Sequence, residues 1–140
     1  MDIKLAIDKV KLAVQKRTKV TQNKKSYAGW LSRGYNNSPE VSFILESHNK
    51  SLQIMHIVEK LRQYPSAEII VIDDGSDFDH TQRLAAGLTG GSEFLVRAND
   101  LYENVMYNKT IRFANADYVA LLQDDDDFDN LEWVTEAVSL

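Results

Sequence analysis

The densest chemistry in this sequence is carried by carboxylates. Asp124, Asp125, Asp126 and Asp127 follow one another directly after the apolar run Tyr118-Val119-Ala120-Leu121-Leu122. Carboxylates crowded this closely repel one another, and only a proton or a cation relieves the repulsion. Oxygen ligands at that density suit a hard divalent ion, Mn2+ or Mg2+, which in turn bridges to phosphate oxygens. A solvated acidic turn, or the acidic first turn of a helix, accounts for the same residues without a metal. A second cluster, Asp73-Asp74-Gly75-Ser76-Asp77, follows the apolar run Ile69-Ile70-Val71-Ile72. It combines the adjacent carboxylates of Asp73 and Asp74 with a glycine free to take positive φ, a serine and a third aspartate. A carboxylate there can accept hydrogen bonds from a nucleobase N–H or a ribose hydroxyl. The alternative is an Asx turn and helix N-cap, a role that would fully occupy Asp77. His48, His56 and His80 belong to no serine–carboxylate pattern of the triad kind. His56 and His80 read as surface helical residues, and His48 stands at the end of an apolar run.

Both clusters need elements that bring them together. From Val41 onward, short apolar runs alternate with helical stretches. Strands are predicted at 41–45, 68–72, 93–96 and 118–122, and helices at 51–63, 78–88, 102–115 and from 131 to the last residue. Ile54, Val58 and Leu61 share one face of the first of these helices, and Pro65 stops it. Alternation of this kind implies right-handed crossovers and an α/β, Rossmann-like, mostly parallel sheet with helices on both faces. Ligands of such sheets sit beyond the carboxyl ends of the strands, where strand order reverses. Glu46 to Asn49, Asp73 to Asp77 and Gln123 to Asp127 should therefore meet at one crevice.

Upstream of this domain, Ile3, Ile7, Val10 and Val14 recur at helical spacing and predict an amphipathic helix over 3–14. That helix either packs on the domain or a partner, or rests on an anionic membrane through residues 1–20. Residues 19–40, rich in Asn, Ser, Gly and Lys, read as a linker, which divides the chain into 1–40 and 41–140. The net charge of -5 is unevenly distributed. Residues 1–40 carry nine Lys/Arg against three acids, and residues 41–140 carry seven against eighteen. So acidic a body disfavours nucleic acid as a partner and favours a phosphate ligand that arrives with a cation. The absence of cysteine excludes disulfides and thiolate metal sites, and no apolar run spans a bilayer. The expected setting is the cytoplasm, with peripheral attachment to the inner face of the membrane as the variant.

Taken in order, VSFILESHNK, EIIVIDDGSD, a helix ending in YNK, and DYVALLQDDDD resemble the motif set of family 2 glycosyltransferases of the GT-A fold. The resemblance covers roughly residues 41–133 and rests on four motifs in the right order and spacing. It implies a metal-dependent, inverting transfer of a sugar, of the hexosyltransferase type, from a nucleotide-sugar donor, with a UDP-sugar favoured and the acceptor open. It implies that Ser47 and Asn49 line the nucleotide site, although Glu46-Ser47-His48-Asn49 stands where the family commonly has Pro-Thr-Tyr-Asn. It implies that Asp74 hydrogen-bonds the base with Asp73 in support, and that Asn108 and Lys109 lie near the diphosphate. Asn108 shares a helix face with Val105 and Ile111, which suits a half-buried amide as well as a ligand contact.

The family's Asp-x-Asp motif begins where this chain has Gln123, so two registers stay open. In one, Asp125 is the direct metal ligand; in the other, Asp124 meets ribose or metal and Asp126 the metal. The family's general base lies beyond this motif, and no residue up to Leu140 is assigned that role. The chain is therefore expected to be the donor- and metal-binding portion of a longer enzyme, inactive alone. Two rivals remain: a non-catalytic nucleotide-sugar-binding or assembly module, and a phosphoacceptor signalling domain, which also pairs an acidic doublet with a later aspartate.

Overall fold

The computed structural model describes residues 2–140. They divide into two compact units, one ending at Tyr35 and one running from Asn36 to Leu140.

The first unit is a single helix, α1, Ile3–Ser32. The Asp2 carboxylate caps its start, accepting from the backbone N–H of Lys4 at 3.0 Å and of Leu5 at 3.4 Å. The helix runs through 19–32, where a linker was predicted. That stretch contains no proline and its first glycine is Gly29, while its Lys and Gln residues are good helix formers. Thr18 and Thr21 turn their hydroxyls back to the carbonyls of Val14 and Arg17, each at 3.0 Å, so they do not break the helix. Termination comes at Gly34, whose φ of 87° only glycine adopts without cost. Gly34 N–H donates to the Leu31 carbonyl and Tyr35 N–H to that of Trp30, both at 3.1 Å, which is a Schellman closure. Its accompanying apolar contact is Tyr35 edge-on to Trp30, with ring centroids 6.3 Å apart. No residue of α1 is buried, and among the described residues no helix is long and apolar enough to cross a membrane.

The second unit alternates strands and helices as the periodicity predicts. The strands are β1 Val41–Ser47, β2 Ala67–Asp74, β3 Glu93–Ala98 and β4 Tyr118–Leu122. The helices are α2 Ser51–Leu61, α3 Phe78–Gly87, α4 Tyr102–Thr110 and α5 Glu132–Ser139. The predicted helix over 102–115 stops at Thr110 and tightens into a 3-10 turn at Ile111–Phe113. All strands are parallel in the order β3-β2-β1-β4, and β1 lies between β2, with Val41 opposite Ala67, and β4, with Val41 opposite Tyr118.

Side chains alternate across this sheet and divide the core in two. Phe43, Leu45, Ile69 and Val71 pack with Ile54, Val58 and Leu61 of α2, Leu84 of α3 and Val134 of α5. Ile44, Ile70 and Ile72 pack with Met106 of α4. The chain builds outward from β1 to β3, then crosses to place β4 on the far side of β1. The strand order reverses there, so a ligand crevice is expected beyond the carboxyl ends of β1 and β4. A phosphoacceptor domain of the 2-1-3-4-5 strand order would place its second strand at an edge, and here β2 is flanked on both sides.

Candidate functional site

Alternation decides which strand-end groups meet. Glu46 continues the Ile44 face of β1, toward α4, whereas Ser47 and Asp73 continue the opposite face, toward α2 and α3. On the α4 side, Glu46, His48, Asp74, Asp100, Tyr102, Glu103 and Asn104 line a hollow of about 490 Å³. That volume lies within the range of small-molecule sites. It adjoins a smaller hollow of about 260 Å³, in which Glu46, His48 and Glu103 are joined by Gln123 and Asp124. The two form a forked crevice at the carboxyl ends of β1, β2 and β4.

The crevice is strongly anionic. Glu46 is pushed up to about 7, first by burial and then by the charges of Glu103, Asp74 and Asp124, with His48 opposing them. Tyr107, whose hydroxyl donates to the Leu122 carbonyl at 2.9 Å, is also raised, by burial and by Glu46 and Glu103. His48 Nδ1 lies 2.7 Å from the Asp74 carbonyl. A carbonyl only accepts, so this nitrogen carries the proton.

The residues singled out from sequence divide among several tasks. Asp74 is buried, and its Oδ1 and Oδ2 accept the backbone N–H groups of Leu101 and Tyr102, each at 3.0 Å. Asp73 is fully buried on the other face, accepting from Arg97 Nη1 at 2.8 Å and from the Thr81 hydroxyl, while its Oδ1 has no partner. Asn49, with φ of 54°, pins two loops together: its N–H donates to Ser76 Oγ at 2.8 Å and its Oδ1 accepts from Asp77 N–H at 2.7 Å. Ser47 is buried with an unpartnered hydroxyl. Asp77 occupies the N-cap position of α3, but its side chain makes no capping bond. Asn108 and Lys109 are both exposed, and α4 meets the crevice instead through Tyr102, Glu103 and Asn104.

The aspartate run is likewise divided. Asp124 lines the smaller arm of the crevice, and it also borders a separate hollow on the α2 side that holds Asp125, Asp126 and Asp127 with His56. Asp126 Oδ2 accepts the Gln123 N–H at 2.7 Å and so closes the turn. Asp127 pairs with Lys60 at 2.5 Å, which holds its carboxyl below the usual range, and Lys60 also donates to the Phe128 carbonyl at 2.8 Å. Among the described residues, no group of three or more His, Asp or Glu is arranged to hold a metal ion by itself. Mg2+ and Mn2+ do not require such a cage, since they commonly take one or two carboxylates and complete their shell with substrate phosphate and water. Asp124, within a crevice whose acids already repel one another, fits that mode.

Asp100, Tyr102, Glu103 and Asn104 line the crevice without any signal in the sequence, and Glu46 is marked there only by its place at the end of β1. Face alternation along β1 was enough to find Glu46. Glu103 looked like an ordinary acid in a first helical turn, and nothing local distinguished it. His80, expected at the surface, is half-buried, with Nδ1 2.8 Å from the hydroxyl of the buried Ser51.

No curated protein matches the chain. The sequence profile of glycosyl transferase family 2 matches residues 42–140, well over half of the chain and nearly all of the unit that builds the crevice. With its parallel four-stranded sheet and its acidic clusters at the strand ends, the chain belongs to glycosyl transferase family 2.

Proposed function

We propose that the crevice is the donor site of a metal-dependent, inverting glycosyltransferase, taking a nucleoside diphosphate sugar, with UDP favoured as the nucleotide. The observation that carries this reading is the gathering of Glu46, Asp74, Glu103 and Asp124 along one crevice beside the strand-order reversal, with Glu46 pushed up to about 7 by burial and then by these acidic neighbours. A diphosphate entering alone would be repelled; with a divalent cation it would relieve that repulsion. Asp124 would hold the cation from the crevice side, with Asp125 and Asp126, the ligands favoured by the sequence, on the adjoining turn. When bound, the cation would neutralise charge developing on the departing diphosphate. Asp74 and His48 shape the nucleotide end, and the Gln123–Asp126 hydrogen bond closes the turn that carries Asp124. No residue up to Leu140 is proposed as general base, so the role of these residues is to bind and orient the donor.

The exposed Ile3, Ile7, Val10 and Val14 on α1, together with its lysines, support a further proposal, peripheral contact of this helix with an anionic membrane.

Asp124→Asn tests the donor reading. Removing a charge-assisted contact should weaken Mn2+-supported UDP binding by roughly tenfold to a hundredfold without lowering the melting temperature. Asp127→Asn should leave UDP affinity within about twofold, since a surface ion pair contributes little. Calorimetry in which the two variants bound UDP equally would contradict the assignment of Asp124.

A further inference from the structure

We infer that the Tyr102 ring is the platform on which the donor's nucleobase stacks, and that Asp74 is the clamp that presents it; this rests on the donor-site reading above. Three non-glycine residues have positive φ among the described residues: Asn49 at 54°, Asp100 at 50° and Tyr102 at 60°. Asn and Asp enter the left-handed region readily, whereas an aromatic side chain there is strained. Such strain persists where surrounding structure over-determines it, and it concentrates at ligand sites.

The constraint here is explicit. Both oxygens of the buried Asp74 grip the chain at Tyr102 and the residue before it, through N–H···O bonds of 3.0 Å. Gly75 N–H, bonded to the Ala98 carbonyl at 2.9 Å, ties the same corner to the end of β3. A ring held this firmly for packing would face the core. Tyr102 is instead 76% exposed, on the wall of the larger arm of the crevice beside His48, Asp74 and Asn104.

Position selects the base over the other parts of the donor. Asp124 lies in the smaller arm, so a cation there draws the diphosphate with it, and the nucleoside end falls in the arm that Tyr102 lines. Stacking on an exposed aromatic face suits any base and needs no hydrogen-bond partner. It also gives Asp74 a role that its two occupied oxygens support: positioning the platform rather than reading the base alone.

The test is calorimetry on the full chain with Mn2+, using UDP, GDP, ADP and CDP in turn, and inorganic pyrophosphate as a base-free probe. Tyr102→Ala and Tyr102→Gly should weaken the tightest-binding nucleotide about tenfold and leave pyrophosphate affinity unchanged, while Tyr102→Phe binds like the parent. Tyr102→Gly should also melt at a higher temperature, because glycine takes this backbone conformation without strain. That variant separates a binding role from a structural one. Nucleotide affinity unchanged in both the Ala and Gly variants would overturn the platform. A parent protein that binds pyrophosphate as tightly as any nucleotide would overturn it as well, while leaving the cation–phosphate site standing. Binding of neither would remove the donor-site reading and the platform together.

Discussion

At the level of single side chains, the crevice is defined by charge that it cannot disperse. The folded protein keeps a proton on Glu46 up to about pH 7, whereas the ordinary value is 4.5. Between those values the unfolded chain has released the proton and the folded chain has not, so this residue's contribution to stability falls as pH rises through that window and is level above it. Glu46→Gln should therefore match the parent at pH 4.5 and melt progressively higher than the parent by pH 8; parallel melting curves across that range would show that Glu46 is not the group responsible. Asp73 is a different case, a buried carboxylate that has its own cation in Arg97. Asp73→Asn should cost about 2 kcal/mol in urea denaturation, since it strips a charged hydrogen-bonding partner from a buried site. Both residues stand at strand ends, and opposite faces of the sheet give them opposite roles.

At the level of elements, strand and helix positions were largely legible in the sequence, because each strand is a short apolar run and each helix has a stripe that the sheet covers. The start of β1 at Val41 and both ends of β4 fell where the apolar runs placed them. The helix over 19–32 is not legible from polar composition, which it shares with irregular chain; its stop signal is a glycine at the required position. Gly34→Ala would force a Cβ into the left-handed region at that closure and should cost about 1 kcal/mol. Amide exchange should then show fraying from Trp30 to Tyr35, and unchanged protection there would refute the closure. The site was less legible than the fold. The aspartate run announced itself, yet its four members do different things: Asp127 is tied to α2 by Lys60, Asp126 closes its own turn, and Asp124 reaches the crevice. Those distinctions depend on turn geometry and on a partner 67 positions away, neither of which local spacing encodes.

At the scale of the whole molecule, the charge asymmetry acquires a physical place. The acidic body places carboxylates from β1, β2, α4 and the turn after β4 along one crevice, and the family assignment covers that body. A basic helix, capped by Asp2 at one end and closed at Gly34 at the other, precedes it in sequence. On the proposed reading, this acidic crevice binds a nucleoside diphosphate only in company with a divalent cation. The most direct measurement is calorimetric titration of UDP into the protein in the presence of Mn2+ and again in the presence of a chelator, at equal ionic strength. UDP should bind with Mn2+ and lose at least about tenfold in affinity without it, the order of one charge-assisted contact. Equal affinity under the two conditions would contradict it.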